Sequence, residues 1–170
     1  MLNQTGELQR LRKGTVGLDV PTAVERLMAR TEPDRARTAF NQIREVLGIV
    51  LSVHSVGDWP SDSGWSAMLP SWFVARCAEP ESDADAEKWL AWWRGLSAEE
   101  QVTAEAVKPW TVANWTYWMH PDQRRWAWWD GEVVSDHEIL VLVDSPDWPT
   151  PTGALEWLLR SAGCVDVKFA

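Results

Sequence analysis

The spacing of apolar residues changes near residue 124, and this change constrains the fold more than any other feature of the chain. Before it, apolar side chains recur every three or four positions, which is typical of helices that bury one face. After it, residues 124–134 and Glu138–Asp144 are rich in aromatic and β-branched side chains and are predicted to be strands. The sequence therefore predicts an α+β fold, with a helical N-terminal half followed by a small C-terminal β-β-α-β sheet unit.

The strongest predicted helix covers residues 33–55. Its apolar residues follow helical spacing and form one face, made of Ala36, Ala39, Phe40, Ile43, Val46, Leu47 and Val50. This face must pack within the chain or against a second copy, so a homodimer through this helix is one alternative. Residues 1–20 are expected to be poorly ordered or weakly helical, and shorter helices are predicted over residues 21–30, from Pro70, and over residues 83–96, 98–107 and 110–119.

The C-terminal unit has its own turn signals. A turn at residues 135–137 is predicted to join the first two strands, with Gly131 as a bulge. A helix over residues 150–162 then leads to a last strand over Cys164–Phe169. If that strand runs parallel to Glu138–Asp144, the connection between them should be right-handed.

Charge and tryptophan content both shift near residue 58. All 14 tryptophans lie at or after Trp59, and the net charge of −9 comes from residues 58–170, which hold 19 Asp and Glu against eight Lys and Arg. The loop at residues 57–64 is rich in turn-forming residues. We therefore predict an N-terminal helical segment, residues 1–57, joined to a Trp-rich acidic α+β body, residues 58–170.

Several classes of function are disfavoured by composition. No stretch approaches the roughly 20 apolar residues of a membrane span, and no apolar leader follows the first charges. Cys77 and Cys164 are far apart and fit a reducing compartment, so a cytoplasmic protein is expected. The acidic body would repel nucleic acid and attract basic proteins.

Placement of the tryptophans suggests a contact surface. Trp89 and Trp93 lie on a helical stripe and are predicted to be core, whereas Trp126 and Trp128 share one face of a strand and Trp129 points to the other. Either that strand is covered on both sides or at least one ring is exposed. Tryptophan beside acid suits a partner that presents Arg and Lys, and the candidate contact residues are Trp126, Trp128, Trp129, Asp130, Asp147 and Trp148.

The sequence predicts a non-catalytic, protein-binding protein with a basic protein partner. Its size, acidity and paired Trp and acid residues have the physical character of a small inhibitor or immunity protein. Motifs for metal sites, phosphate loops and nucleophilic catalysis are absent, so no cofactor or metal is expected. Two alternatives remain: a small cytosolic enzyme whose His and carboxylate groups meet only in the fold, and a carbohydrate-binding module that stacks sugars on Trp.

Overall fold

A four-stranded antiparallel sheet forms the centre of the protein. The structure is a computed structural model that describes residues 6–170. The strands are β1 (Val24–Thr31), β2 (Ala127–Val133), β3 (Glu138–Asp144) and β4 (Cys164–Phe169), in the spatial order β2-β3-β1-β4. The mixed α+β class that the sequence predicts is confirmed.

Eight helices accompany this sheet in the described part of the chain. They are α1 (Glu7–Lys13), α2 (Ala36–Val56), α3 (Asp62–Met68), α4 (Ser71–Val74), α5 (Asp83–Arg94), α6 (Ala98–Val107), α7 (Val112–Met119) and α8 (Gly153–Ser161). Helices α2 and α8 pack against one face of the sheet, while α1 contacts β2 and α2. Setting α1 and α3–α7 aside, the chain runs β-α-β-β-α-β, which is the connectivity of ferredoxin-like sheets.

The first strand of this sheet corrects a sequence prediction. Residues 21–30 are predicted to be a short helix, but Val24–Thr31 forms β1 and pairs with both β3 and β4. Its burial alternates, with Leu27 and Ala29 buried and Arg26 and Arg30 exposed. Good helix formers in this segment hide the alternation, and sheet pairing outweighs their weak local preference.

Helix α2 matches its prediction closely. All seven apolar side chains of the predicted face are buried, and they belong to the same core cluster as the inward residues of the sheet. A second copy of the chain therefore cannot use this face without unfolding the core. Gly57 is the C-cap residue of α2, and described residues on both sides of it belong to that cluster.

The C-terminal unit follows the predicted element order. A turn at residues 134–137 joins β2 and β3, and α8 leads into β4. The irregularity in β2 lies between Trp128 and Asp130 and not at Gly131. β4 has the same direction as β3 but does not pair with it, because β1 lies between them and is antiparallel to both.

The first helix covers residues that the sequence predicts to be poorly ordered or weakly helical. Residues 1–5 lie outside the described part, but Glu7–Lys13 forms α1 beside β2. The carboxylate of Glu7 accepts hydrogen bonds from the backbone N–H of Trp128 and from Arg124, whose Nη2 lies 2.7 Å from Glu7 Oε2. Arg10 donates to the Trp128 carbonyl at 3.1 and 3.3 Å. Helix α1 thus closes the outer edge of β2.

Helices α3–α7 form an insertion between α2 and β2. Trp65 of α3 and Trp115 of α7 are fully buried and attach this insertion to the core. Helix α5 is different, because none of its twelve residues is buried. The prediction of a core stripe through Trp89 and Trp93 is therefore wrong: these side chains are only half-buried.

Within residues 6–170, no helix combines the length and the apolar character that crossing a membrane requires.

Candidate functional site

Three of the predicted contact residues lie in the core. Trp126, Trp128 and Trp129 are each at most 5% exposed, so they cannot touch a partner in this fold. The physical reason is that β2 is covered on both sides. The ring of Phe40 lies 6.4 Å from the ring of Trp128, and the guanidinium of Arg10 lies 4.8 Å from the centre of the Trp129 ring.

The other three predicted residues do not form one surface. Asp130 is half-buried and accepts hydrogen bonds from the hydroxyl of Thr15 and from the N–H of Gly131 at 2.8 Å. Asp147 and Trp148 are exposed in the loop after β3, where Trp148 is 73% accessible and contacts Phe169. The predicted patch is therefore reduced to one exposed Asp-Trp pair.

An aromatic groove on the helical insertion is the better candidate site. We call it the Trp groove; it has a volume of about 400 Å³, and its lining includes Trp89, Glu105, Lys108, Trp110, Asn114 and Trp118. Three indole side chains thus border one open depression, together with a carboxylate, an amide and an ammonium group. Apolar walls with a few polar groups are typical of binding sites.

Helix caps fix the three elements that form the groove. Ser82 accepts a hydrogen bond from the N–H of Asp85 at the start of α5, and Thr111 does the same for Asn114 at the start of α7. Helix α6 begins with a capping box in which Ser97 and Glu100 bond each other's backbone N–H groups. Since such caps stabilise a helix start by about 1 kcal/mol, short helices with little burial can still be well defined.

The floor of the groove is anchored to the core. Trp110 is half-buried and packs against it, with its ring beside Gly153 at the start of α8. The carbonyl of Trp110 accepts a hydrogen bond from the N–H of Ala78 at 2.9 Å. Trp118 is more open, with 45% of its surface accessible, and its neighbour Tyr117 meets it edge to face at 5.3 Å. In the groove, Trp110 is thus held in place by the core, whereas Trp118 is accessible to a partner.

The groove already holds one cation of the chain. The ammonium of Lys108 lies 3.9 Å from the centre of the Trp89 ring, and it lies 3.4 Å from the carboxylate of Glu81. The site thus pairs an indole face with a carboxylate around a positive charge, which is the arrangement that cation–π recognition uses.

The surroundings of the groove are strongly acidic. Residues 79–107 contain eight Asp and Glu against two Lys and Arg, and all eight acids are exposed. This short segment therefore carries most of the excess negative charge of the chain. Hydrogen bonds from Ser97 lower the pKa of Glu100, so that this carboxylate stays charged. Such a surface attracts positively charged molecules.

The histidines lie elsewhere. Burial and the positive charge of Arg124 lower the pKa of His54 to about 4, so this ring is neutral at pH 7. It donates to the Met119 carbonyl at 3.2 Å. The ring of Trp59 lies 5.5 Å from that of His54 and meets the ring of His120 edge to face at 4.8 Å. His137 is exposed in the β2–β3 turn and pairs with its neighbour Asp136.

No histidine or cysteine of the described residues lines the Trp groove. Glu7, the buried carboxylate nearest to His54, already bonds Arg124 and the Trp128 backbone. Burial raises the pKa of Cys77, and it raises the pKa of Cys164 to about 12, so both thiols are protonated at pH 7. Among the described residues, no group of three or more His, Cys, Asp or Glu is placed to hold a metal ion. The enzyme alternative stays a prediction.

No family model, curated protein or solved structure matches this chain.

Sequence reasoning missed the groove because periodicity alone cannot distinguish a core stripe from a contact stripe. The informative signal in the sequence was the set of acidic residues around the tryptophan stripe. Trp89, Trp92 and Trp93 sit in a helix that opens with Asp83 and Asp85, within a long acidic segment. A stripe that must be buried in a core is seldom carried by a segment with so many charges.

Proposed function

We propose that this protein is a non-catalytic binding protein whose Trp groove and acidic surroundings hold a basic segment of another protein. The observation that carries the proposal is helix α5, which bears three tryptophans and a leucine yet buries none of its residues. Large exposed apolar areas on a folded domain mark interaction sites. The proposal keeps the predicted partner and moves its site from β2 to the insertion.

The area of the open rings is large enough to support useful affinity. Trp92 and Trp118 are both exposed, and each tryptophan can bury about 150–250 Å². At roughly 25 cal/mol per Å², covering the open half of one ring contributes about 2 kcal/mol. Two or three such contacts are typical of the few residues that dominate an interface.

Charge selects the kind of partner. The eight exposed acids of residues 79–107 would speed the approach of a basic protein and disfavour an acidic one. Inside the groove, the contact of Lys108 with Trp89 and Glu81 illustrates how the side chains receive a cation. A partner's Arg would bind against the ring of Trp118 and pair with the carboxylate of Glu105.

Since both cysteines are free, we expect this binding to occur in a reducing compartment such as the cytoplasm.

The test has two steps. Partners are first captured from the native source with the wild-type protein and its variants as baits. The binding of the purified partner to each of them is then measured. Trp118→Ala and Glu105→Gln alter the groove, while Trp148→Ala removes a more exposed ring outside it. We expect a basic partner whose Kd rises roughly tenfold or more with Trp118→Ala and rises with salt. Binding that is lost with Trp148→Ala but unchanged by both groove variants would contradict the proposal.

One observation favours a second candidate. The groove places Asn114 and Glu105 beside indole rings, and such polar groups could bond the hydroxyls of a sugar that stacks on Trp. Titration with a panel of neutral oligosaccharides distinguishes the two candidates. Sugar binding that is lost with Trp118→Ala and is insensitive to salt would replace the protein-binding proposal.

A further inference from the structure

The two outer edges of the sheet are treated differently. Helix α1 closes the β2 edge, where Glu7 and Arg10 bond the backbone N–H and carbonyl of Trp128. β4 is the opposite edge, and in the described part of the chain only β1 pairs with it. An open edge strand presents unpaired backbone groups, which are a ready template for another strand.

The register of β4 shows which backbone groups point outward. The N–H of Ala170 donates to the carbonyl of Arg26 on β1 at 2.8 Å. In an antiparallel ladder, the bonding direction alternates along each strand. The backbone groups of Asp166 and Lys168 therefore also point towards β1, whereas those of Val167 and Phe169 point away from the sheet.

We infer that β4 pairs antiparallel with β4 of a second copy, with a two-fold axis at Val167. This register places Asp166 opposite Lys168 of the second copy, and Lys168 opposite Asp166 of the second copy. Asp166 and Lys168 lie on one face of the strand, because their side chains already form an ion pair at 2.9 Å. The pairing would thus form two ion pairs between copies.

The same two charges exclude the neighbouring registers. Sliding one strand by two residues places Asp166 opposite Asp166, or Lys168 opposite Lys168, and like charges directly opposite each other are destabilising. Only the register centred on Val167 joins opposite charges twice. A lysine on an edge strand usually prevents pairing, but here the adjacent acid makes the edge complementary to itself.

Apolar side chains lie at the ends of this register. Val165 is 66% exposed and Phe169 is 45% exposed, and the register places each opposite the other across the interface. Trp148 extends the patch, with its ring 6.1 Å from that of Phe169. The bulge of β4 lies at Val165, which is opposite Phe169 of the second copy, so we expect the strongest pairing at Val167. This inference is independent of the Trp groove.

The oligomeric state of the full chain tests the inference. Light scattering over a wide concentration range should give a dimer for the wild type. Val167→Pro removes an outward N–H and leaves the bonds to β1 intact, so it should fold and remain monomeric. Asp166→Lys should weaken dimerisation roughly tenfold or more, and the double variant Asp166→Lys/Lys168→Asp should restore it.

Hydrogen exchange supplies a second readout with an internal control. The amide of Val167 should become protected as concentration rises, while those of Asp166 and Lys168 are protected throughout by β1. A wild-type chain that stays monomeric throughout would overturn the inference. So would a dimer that is unchanged by both Val167→Pro and Asp166→Lys. If Val167→Pro does not fold, the charge variants and the exchange pattern decide.

Discussion

Trp128 illustrates how one large side chain fixes the identity of its neighbours. Its ring is fully buried between β2 and Phe40 of α2. Gly131 lies under this ring, and a Cβ placed on Gly131 would be 2.6 Å from the ring and 3.0 Å from Phe40. The glycine is therefore required by close packing and not by backbone conformation.

This packing predicts opposite effects for two glycine substitutions. Gly131→Ala should lower the free energy of unfolding by about 1–3 kcal/mol, because the added carbon meets a ring that cannot move aside. Gly48→Ala is the matched control. Gly48 lies inside α2 with its nearest neighbour, Leu11, at 4.0 Å, so alanine should raise that energy by about 0.5–1 kcal/mol. Urea denaturation measures both, and equal values for the two variants would contradict this account.

At the residue scale, the sequence left two alternatives for Trp126, Trp128 and Trp129, and the structure selects the covered strand. The missing information was non-local. Glu7 and Arg10 reach β2 from more than a hundred positions away, and nothing near β2 in the sequence announces them. A Glu and an Arg three positions apart in a short helix are common on protein surfaces, so this spacing does not indicate a contact with β2.

At the scale of elements, α1 is held by a buried ion pair that also serves the sheet. The carboxylate of Glu7 and the side chain of Arg124 are both at most 2% exposed, and the same carboxylate bonds the backbone of β2. A buried charge that loses its partner is costly. The stability of this edge therefore depends on one carboxylate.

Glu7→Gln should destabilise the protein by roughly 3–5 kcal/mol, because Arg124 would keep its charge without a carboxylate. It should also expose the amide of Trp128 to hydrogen exchange. Glu87→Gln, an exposed change in α5, is the control and should stay within about 0.5 kcal/mol of the wild type. A Glu7→Gln protein as stable as this control would show that α1 does not hold the edge.

His54 adds a dependence on pH. Its pKa is lowered from 6.5 to about 4 in the folded chain, so the unfolded chain binds a proton more readily between these values. The contribution of His54 to the free energy of unfolding is therefore complete above pH 6.5 and is lost as the pH falls towards 4. Allowing for the part of the ring that water reaches, we expect a loss of about 1 kcal/mol between about pH 7.5 and pH 5.5.

The check is urea denaturation at those two pH values. His54→Gln should remove that loss, whereas His137→Gln, a change in an exposed turn, should keep it. An equal loss in the wild type and in His54→Gln would assign the pH dependence to other groups.

Elements with local signals were predicted well, and those defined by partners were not. The sequence predicted helices over residues 83–96 and 98–107 and strands over Glu138–Asp144 and Cys164–Phe169, and α5, α6, β3 and β4 confirm all four. β1 was missed because Leu27, Met28 and Ala29 favour a helix, and only pairing with β3 and β4 makes the segment a strand.

At the scale of the whole molecule, the sheet and the helices packed on it form the core, and the insertion α3–α7 carries the Trp groove. The α+β class followed from the change of period near residue 124, but the strand order did not. That order depends on β1 entering between β3 and β4, which no local pattern specifies. The candidate site could not be predicted either, because its exposure depends on what α5 fails to pack against.

The central claim is that the Trp groove receives cationic side chains from a partner, and the indole N–H resonances of the 14 tryptophans report on it directly. The measurement is a titration of the labelled full chain with an oligo-arginine peptide, with an oligo-glutamate peptide as control. We expect the resonances of Trp89, Trp110 and Trp118 to shift with the basic peptide alone, while that of Trp148 stays still. Shifts centred on Trp148, or none at all in the groove, would contradict the account.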